Sequence, residues 1–133
     1  MSGISWKTDV GVNHVGAYQV SGRPYATGSV DCSSTREIKF PQVARWVIVV
    51  NNANSNAKVG FSANGVDGTN YFDLGKASAT DVPAISPRLE LKVSSIFVSG
   101  SSDISIVAGL TNISTDKVKT SIGTNWSGSS GVG

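Results

Sequence analysis

Apolar residues recur at every second position through the middle of the chain, which is the period of β-strands. Residues 37–40 place two apolar side chains on one face and two opposite charges on the other. Residues 89–93 alternate in the same way, which predicts a strand with Leu91 turned towards the core. Residues 46–50 are apolar throughout, too short for a helix and rich in β-branching. They predict a central strand that is covered on both faces.

Turn residues separate these apolar runs at short intervals. Asn64-Gly65 and Asp67-Gly68 follow one alternating run and precede another at residues 71–74, which predicts a hairpin with turns at the glycines. Further short strands are predicted at residues 10–12, 17–20, 25–30, 96–98 and 104–110. Eight or nine short strands at near-regular spacing predict an all-β fold, either an antiparallel β-sandwich or a jelly roll.

Two polar arms flank the predicted core. Residues 1–9 form an N-terminal arm, residues 10–113 form the β-sandwich domain, and residues 114–133 form a C-terminal arm. The C-terminal arm ends in a stretch rich in serine and glycine, which on its own is expected to fray. An arm of this kind gains order only when it packs on another surface.

Apolar side chains in the arms are the candidate partner-binding residues: Trp6, Val118, Ile122 and Trp126. The last three are spaced four apart, which fits one face of a short helix, although Gly123 argues against a persistent helix. Each tryptophan is an apolar anchor in a polar arm, and such anchors suit docking onto a partner. Packing of each anchor against its own domain is the equal alternative.

The composition narrows the functional classes. Among 133 residues, 11 Lys and Arg stand against 9 Asp and Glu, and this net charge of +2 does not favour a nucleic-acid-binding surface. No run approaches the ~20 apolar residues that a membrane span needs. The first ten residues lack the apolar block of a signal peptide, and the single cysteine cannot form an intrachain disulfide. We therefore expect synthesis in a reducing cytoplasm.

No catalytic or metal-binding constellation is predicted. His14 is the one histidine, and neither it nor Cys32 lies in a motif for nucleophilic catalysis. One histidine and one cysteine cannot complete a tetrahedral zinc site. Residues 64–68 faintly resemble a calcium loop but lack its alternating acidic ligands. We expect no enzyme activity, no cofactor and no metal ion.

Residues 37–51 contain three features in succession. They are a strand in which charged and apolar residues alternate, a Phe-Pro pair, and a long apolar strand that ends in Asn. Residues 87–100 and residues 104–113, which end in AGLTNI, continue this pattern. Together these stretches resemble the β-sandwich capsid decoration proteins, or cement proteins, of tailed double-stranded DNA bacteriophages. The resemblance covers about residues 35–113 and rests on pattern.

The resemblance implies an assembly role without catalytic residues. Proteins of this family bind the outer capsid surface, often as trimers at local symmetry axes, and stabilise the shell. For this chain the resemblance implies that the major capsid protein is a partner and that the chain forms a homo-oligomer, with a trimer favoured. It also implies a location on the capsid surface of the virion, after synthesis in the host cytoplasm.

Other functional classes stay open. A carbohydrate-binding module, or a phage fibre or tail component that binds a receptor, would place exposed aromatic side chains on one face. Tyr18, Tyr25 and Tyr71 are the candidates for such a face. A small hydrolase on a sandwich scaffold would need His14 to converge with an acid and a nucleophile.

Overall fold

Strands dominate the described chain, which a computed structural model covers at residues 23–79, 82–121 and 123–133. The strands are β1 (Arg23–Cys32), β2 (Arg36–Lys39), β3 (Ala44–Asn51), β4 (Ala57–Gly60), β5 (Tyr71–Leu74), β6 (Ala84–Ile85), β7 (Ser95–Ser99), β8 (Ser101–Leu110), β9 (Lys119–Thr120) and β10 (Gly123–Thr124). A short helix, α1 (Ala63–Asp67), and one 3₁₀ turn (Thr115–Val118) complete the described elements. The strands predicted at residues 10–12 and 17–20 lie outside the described residues.

The strands form two four-stranded antiparallel sheets that pack face to face. Sheet 1 has the order β1-β8-β3-β6, and sheet 2 has the order β2-β7-β4-β5. The pair β9–β10 is a separate two-stranded ladder. The predicted all-β sandwich is confirmed, and so is the hairpin, since β4 pairs with β5. Ten strands are described instead of eight or nine in total, and three of them have only two residues.

The core lies between the inner faces of the two sheets. Its fully buried members include Val47 and Val49 of β3, Ile104 and Ile106 of β8, and Ile96 and Val98 of β7. Each of these side chains contributes about 1.5–3 kcal/mol when it leaves water. Phe40 follows β2 into the same core, and the ring of Tyr25 meets its ring edge-on at 5.3 Å.

Strand β3 is fully buried on one face and half-buried on the other, so among the described residues the predicted cover on both faces is only partly present. Val47 and Val49 are fully buried, whereas Trp46, Ile48 and Val50 on the other face are half-buried. The reason is that the described strands form two layers. Sheet 2 packs on the inner face of sheet 1, and none of the described strands forms a third layer on the outer face.

The strand predicted at residues 89–93 is not a regular strand. Leu89 makes an isolated bridge to Val47, and the Ala44 amide donates to the Val93 carbonyl at 2.8 Å, so the segment follows the edge of β3. Its register against β3 slips by one residue after the pair Val50–Ile85, which interrupts the ladder. The predicted alternation survives: Leu91 is half-buried and packs against the core.

The turns predicted at Asn64-Gly65 and Asp67-Gly68 are replaced by the helix α1. The Ser62 hydroxyl accepts a hydrogen bond from the Gly65 amide at 2.9 Å, which caps the first turn. Val66 lies on the buried side of α1 and packs this helix against sheet 2. A local cap and one apolar anchor therefore outweigh the turn preference of the two glycine pairs.

Asn51 ties three segments together at the end of β3. Its fully buried side chain donates to the carbonyls of Ser55 at 2.7 Å and Gly75 at 2.9 Å. Its amide oxygen accepts from the Ala53 amide at 3.1 Å and the Ser101 hydroxyl at 2.7 Å. The whole hydrogen-bonding capacity of this amide is used, as a buried polar group requires.

We predict that Asn51→Ala lowers the free energy of unfolding by about 3 kcal/mol, because it leaves buried carbonyl and hydroxyl partners without a hydrogen bond. The matched control is Asn52→Ala, since the neighbouring amide is exposed and makes a long side-chain hydrogen bond to Ser105 at 3.2 Å. The control is expected to change stability by less than about 0.5 kcal/mol. Urea unfolding followed by circular dichroism measures both. Equal effects would show that the Asn51 network is not a structural tie.

Candidate partner-binding surfaces

The C-terminal segment folds back along the sandwich. After the 3₁₀ turn, β9 and β10 pair with each other, so the spacing of four does not produce a persistent helix. Val118 is buried in a small cluster with Val43 and Ile113. Ile122 and Trp6 lie outside the described residues, and their predicted partner-binding role is not tested.

Trp126 is held on its own domain at two points. Its indole Nε1 donates to the Phe61 carbonyl at 2.9 Å, and its ring packs against both apolar clusters. An open apolar hollow of about 250 Å³ lies beside it, lined in part by Leu91 and Val132. Of the two alternatives left open for this anchor, the structure shows the packing on the own domain. A partner role for Val118 and Trp126 stays a prediction.

A second clamp holds the end of the segment, and we call residues 123–133 the strap. The Ser62 hydroxyl lies within 2.8 Å of the Val132 carbonyl oxygen and 2.9 Å of the Gly133 carbonyl oxygen. The backbone here approaches Gly65 so closely that a Cβ atom on that glycine would lie 2.0 Å from the Val132 oxygen. Only glycine fits at position 65 while the strap is docked.

We predict that Gly65→Ala releases the end of the strap, because the added methyl group and the Val132 oxygen cannot occupy the same space. The indole N–H signal of Trp126, assigned with Trp126→Phe, is expected to shift and broaden in a ¹⁵N-correlated NMR spectrum. Gly75→Ala is the control, since nothing lies within 4 Å of its Cβ position. An unchanged Trp126 signal in Gly65→Ala would contradict this account of the strap.

The outer face of sheet 1 carries apolar side chains of several strands, and we call it the open face. The strand registers place its side chains in three cross-strand rows. The rows are Pro24–Gly109–Trp46, Ala26–Val107–Ile48 and Gly28–Ser105–Val50–Ile85. None of these ten residues is charged. Among its large apolar side chains, Val107 is 40% exposed and Ile85 is 61% exposed.

Trp46 makes the open face flat at one end. A Cβ atom at Gly109 would lie 2.4 Å from the indole Nε1, so the ring rests directly on the backbone of β8. A residue with a side chain at position 109 would lift the ring off the sheet. The glycine therefore makes room for a broad aromatic platform that adjoins Ile48 and Val107.

The outer face of sheet 2 is different in character. It carries charged side chains: the Lys58 ammonium lies 4.8 Å from the centre of the Tyr71 ring, and Glu37 accepts from the Ser95 hydroxyl at 2.8 Å. Phe97, the largest apolar side chain of this face, lines a hollow with Thr124 of the strap and Asn64 of α1. The chain thus partly covers this sheet with its own helix and strap.

The other candidate residues do not converge on one site. Tyr25 lies on β1 of sheet 1 and turns inward to Phe40, whereas Tyr71 lies on β5 of sheet 2. His14 and Tyr18 lie outside the described residues. No group of three or more His, Cys, Asp or Glu that could hold a metal ion occurs among the residues that the structure describes. In the same part of the chain, no helix has the length and apolar character to cross a membrane.

Cys32 is a buried free thiol at the end of β1. Burial raises the pKa of this thiol, and Asp31 adds a smaller upward effect that Arg36 opposes. The neighbouring carboxyl group of Asp31 has a lowered pKa, mainly because the Ser33 hydroxyl and amide donate to it. A buried thiol with a raised pKa is a poor nucleophile, because the thiolate is the reactive form.

We predict that Ellman's reagent modifies Cys32 at pH 8 at least ~100-fold more slowly in the folded protein than in guanidinium chloride. The folded-state pKa is raised, so the associated stability is present below the thiol's unfolded-state pKa and is lost as the pH rises through the folded-state value. Ser34→Cys in a Cys32→Ala background is the control, because Ser34 is exposed and should react quickly. Fast modification of folded Cys32 would contradict its burial.

No protein-family model matches the chain, and no curated protein matches it.

Proposed function

We propose that this chain is a structural protein of a virus particle that binds the outer surface of the capsid and stabilises the shell. The observation that supports the proposal is the open face, whose three cross-strand rows contain no charged residue, on an antiparallel sandwich. The sequence resemblance to capsid decoration proteins supplies the biological setting. The major capsid protein is the proposed partner, and the proposed location is the virion surface after synthesis in the host cytoplasm.

The shape of the open face indicates the class of ligand that it suits. Small-molecule sites are concave and enclose most of the ligand. The apolar rows of the open face are three strands wide, with β6 adding a fourth strand at one end, and they span five residues of β8, or roughly 300 Å² from standard strand spacings. An apolar patch of that size is about the largest that a typical monomer exposes, and such patches are often functional.

The covering of the two sheets also supports an assembly role. Sheet 2 carries charged side chains and lies partly under α1 and the strap, whereas β8, β3 and β6 of sheet 1 carry the apolar side chains of its outer face. A protein with one polar and one apolar face is suited to lie between water and another protein. The carbohydrate-binding alternative is not favoured by the described tyrosines, because Tyr25 and Tyr71 lie on different sheets.

We predict that the purified protein binds in a saturable manner to capsids assembled without it from the major capsid protein of the phage that encodes the chain. Bound capsids are expected to resist heat better than bare capsids, because a ligand that binds only the assembled form stabilises it. Co-sedimentation measures binding, and light scattering during heating measures disruption. A chain unfolded by Val49→Asp is the negative control. Absence of binding by the folded protein would overturn the proposed function.

A further inference from the structure

We infer that the outer face of sheet 2 carries a binding groove for an oligosaccharide that includes an acidic sugar. The groove consists of two hollows of about 240 and 280 Å³ that share a wall formed by Glu37 and by Gly123 and Thr124 of the strap. The inference goes beyond the proposed function and does not depend on it. A chain that binds a capsid through the open face leaves this groove free, because the groove lies on the other sheet.

Glu37 places a fixed carboxylate where the two hollows adjoin. Its Oε2 atom accepts from the hydroxyl of buried Ser95 at 2.8 Å, and its side chain is 32% exposed. Its Oε1 atom lies 4.0 Å from the Lys39 ammonium, too far for a hydrogen bond, so this oxygen still has accepting capacity. A carboxylate held in this way suits the neighbouring hydroxyl groups of a sugar, because charge-assisted hydrogen bonds are about twice as strong as neutral ones.

Other polar side chains line the groove without a hydrogen bond to any residue that the structure describes. Ser94 and Thr115 line one hollow, Asn64 lines the other, and Thr124 lines both. Together these side chains offer three hydroxyl groups and an amide, and each of these groups both donates and accepts. A ligand rich in hydroxyl groups matches this set, since a hydroxyl also donates and accepts.

Phe97 gives one hollow an aromatic surface beside the carboxylate. It is the cross-strand partner of Glu37 in the pairing of β2 with β7, so the two side chains lie side by side on one face of the sheet. Its ring is half-buried, as is that of Phe61 in the same hollow. An aromatic face packs against the C–H groups of a sugar ring while nearby polar groups bind its hydroxyls. Neither Tyr25 nor Tyr71 lines the groove.

The other hollow has a positive balance of charge, which suits the acidic sugar. Lys39 of β2 and Lys119 of β9 both line it, and both side chains are exposed, whereas Glu37 is its one carboxylate among the described residues. Glu37 opposes the binding of a small free anion such as phosphate at the same place. An extended saccharide avoids this repulsion, because it sets hydroxyl groups against Glu37 and its acid group against the lysines.

Titration of the ¹⁵N-labelled full chain with three tetrasaccharides tests the inference. Hyaluronan tetrasaccharide carries glucuronate, whereas chitotetraose and cellotetraose are neutral. Shifts of the amide NMR signals of Phe97, Thr124 and Asn64 report binding in the groove. The hyaluronan probe is expected to bind with a Kd below about 1 mM and at least ~3-fold more tightly than either neutral probe. Inorganic phosphate at the same concentrations is expected to leave these signals unchanged.

Two variants with matched controls on the same sheet separate the contributions of the charged groups. Glu37→Gln is expected to weaken binding of the hyaluronan probe at least ~10-fold, because an amide keeps an acceptor for Ser95 but lacks the charge. Asp73→Asn is its control, since exposed Asp73 of β5 does not line the groove.

Lys119→Gln is expected to remove the preference for the acidic probe and to leave the affinity for the neutral probes unchanged. Lys58→Gln is the control for this variant, because Lys58 lies on β4 outside the groove. Circular dichroism confirms that each variant is folded.

Four results would overturn the inference. They are the absence of saturable shifts with all three tetrasaccharides, binding that Glu37→Gln does not weaken, equal affinity for the acidic and neutral probes, and shifts that phosphate alone reproduces. Capsid binding measured in parallel separates the two proposals. A chain that binds capsids but no saccharide retains the proposed function and removes this inference, whereas a chain that binds the hyaluronan probe but no capsid does the reverse.

Discussion

Strand β3 of sheet 1 is apolar on both faces and its neighbour β8 adds Val107 to the outer face, whereas a two-layer sandwich buries only the inner face of each strand. The inner rows, such as Val47 and Ile106, fill the core. The outer rows, with Ile48 and Val107, face outward, and no strand among the described residues covers them. Exposure of this apolar surface to water is unfavourable in an isolated monomer. Binding of a partner that removes the surface from water is therefore favourable. The proposed assembly role follows from this constraint.

The outer faces of the two sheets differ in how far the C-terminal strap covers them. On sheet 2 the strap is fixed by Trp126 at the Phe61 carbonyl and by Ser62 beside its last two carbonyls. These hydrogen bonds give a segment rich in serine and glycine a defined path, although its own propensities predict fraying. The role of Gly65 in this docking is steric, because the strap needs the space that any Cβ atom would occupy. The strap therefore partly covers the outer face of sheet 2, whereas the outer face of sheet 1 exposes apolar side chains.

Period-two patterns predicted the sandwich and most of its strands, because alternation at residues 37–40 and β-branching at residues 104–110 report local conformation directly. They did not predict the irregular edge at residues 89–93, where a one-residue slip against β3 interrupts the pairing without changing which side chains face inward. They also missed the open face. A continuous apolar run looks the same whether its second face is covered by the same chain or by another. The clamp at Gly65 depends on contacts with Val132 and Gly133, about 70 residues away, which a local pattern does not contain.

Solvent accessibility of single methyl groups in the assembled state tests the central claim most directly. A soluble paramagnetic probe attenuates the NMR signals of methyl groups in proportion to their exposure. At a concentration where the chain is assembled, the methyl signals of Val107 and Ile85 should be protected, while that of exposed Ala63 on α1 should be strongly attenuated. Equal attenuation of all three, in the free protein and in the capsid-bound protein, would contradict the account, because the open face would then have no macromolecular partner.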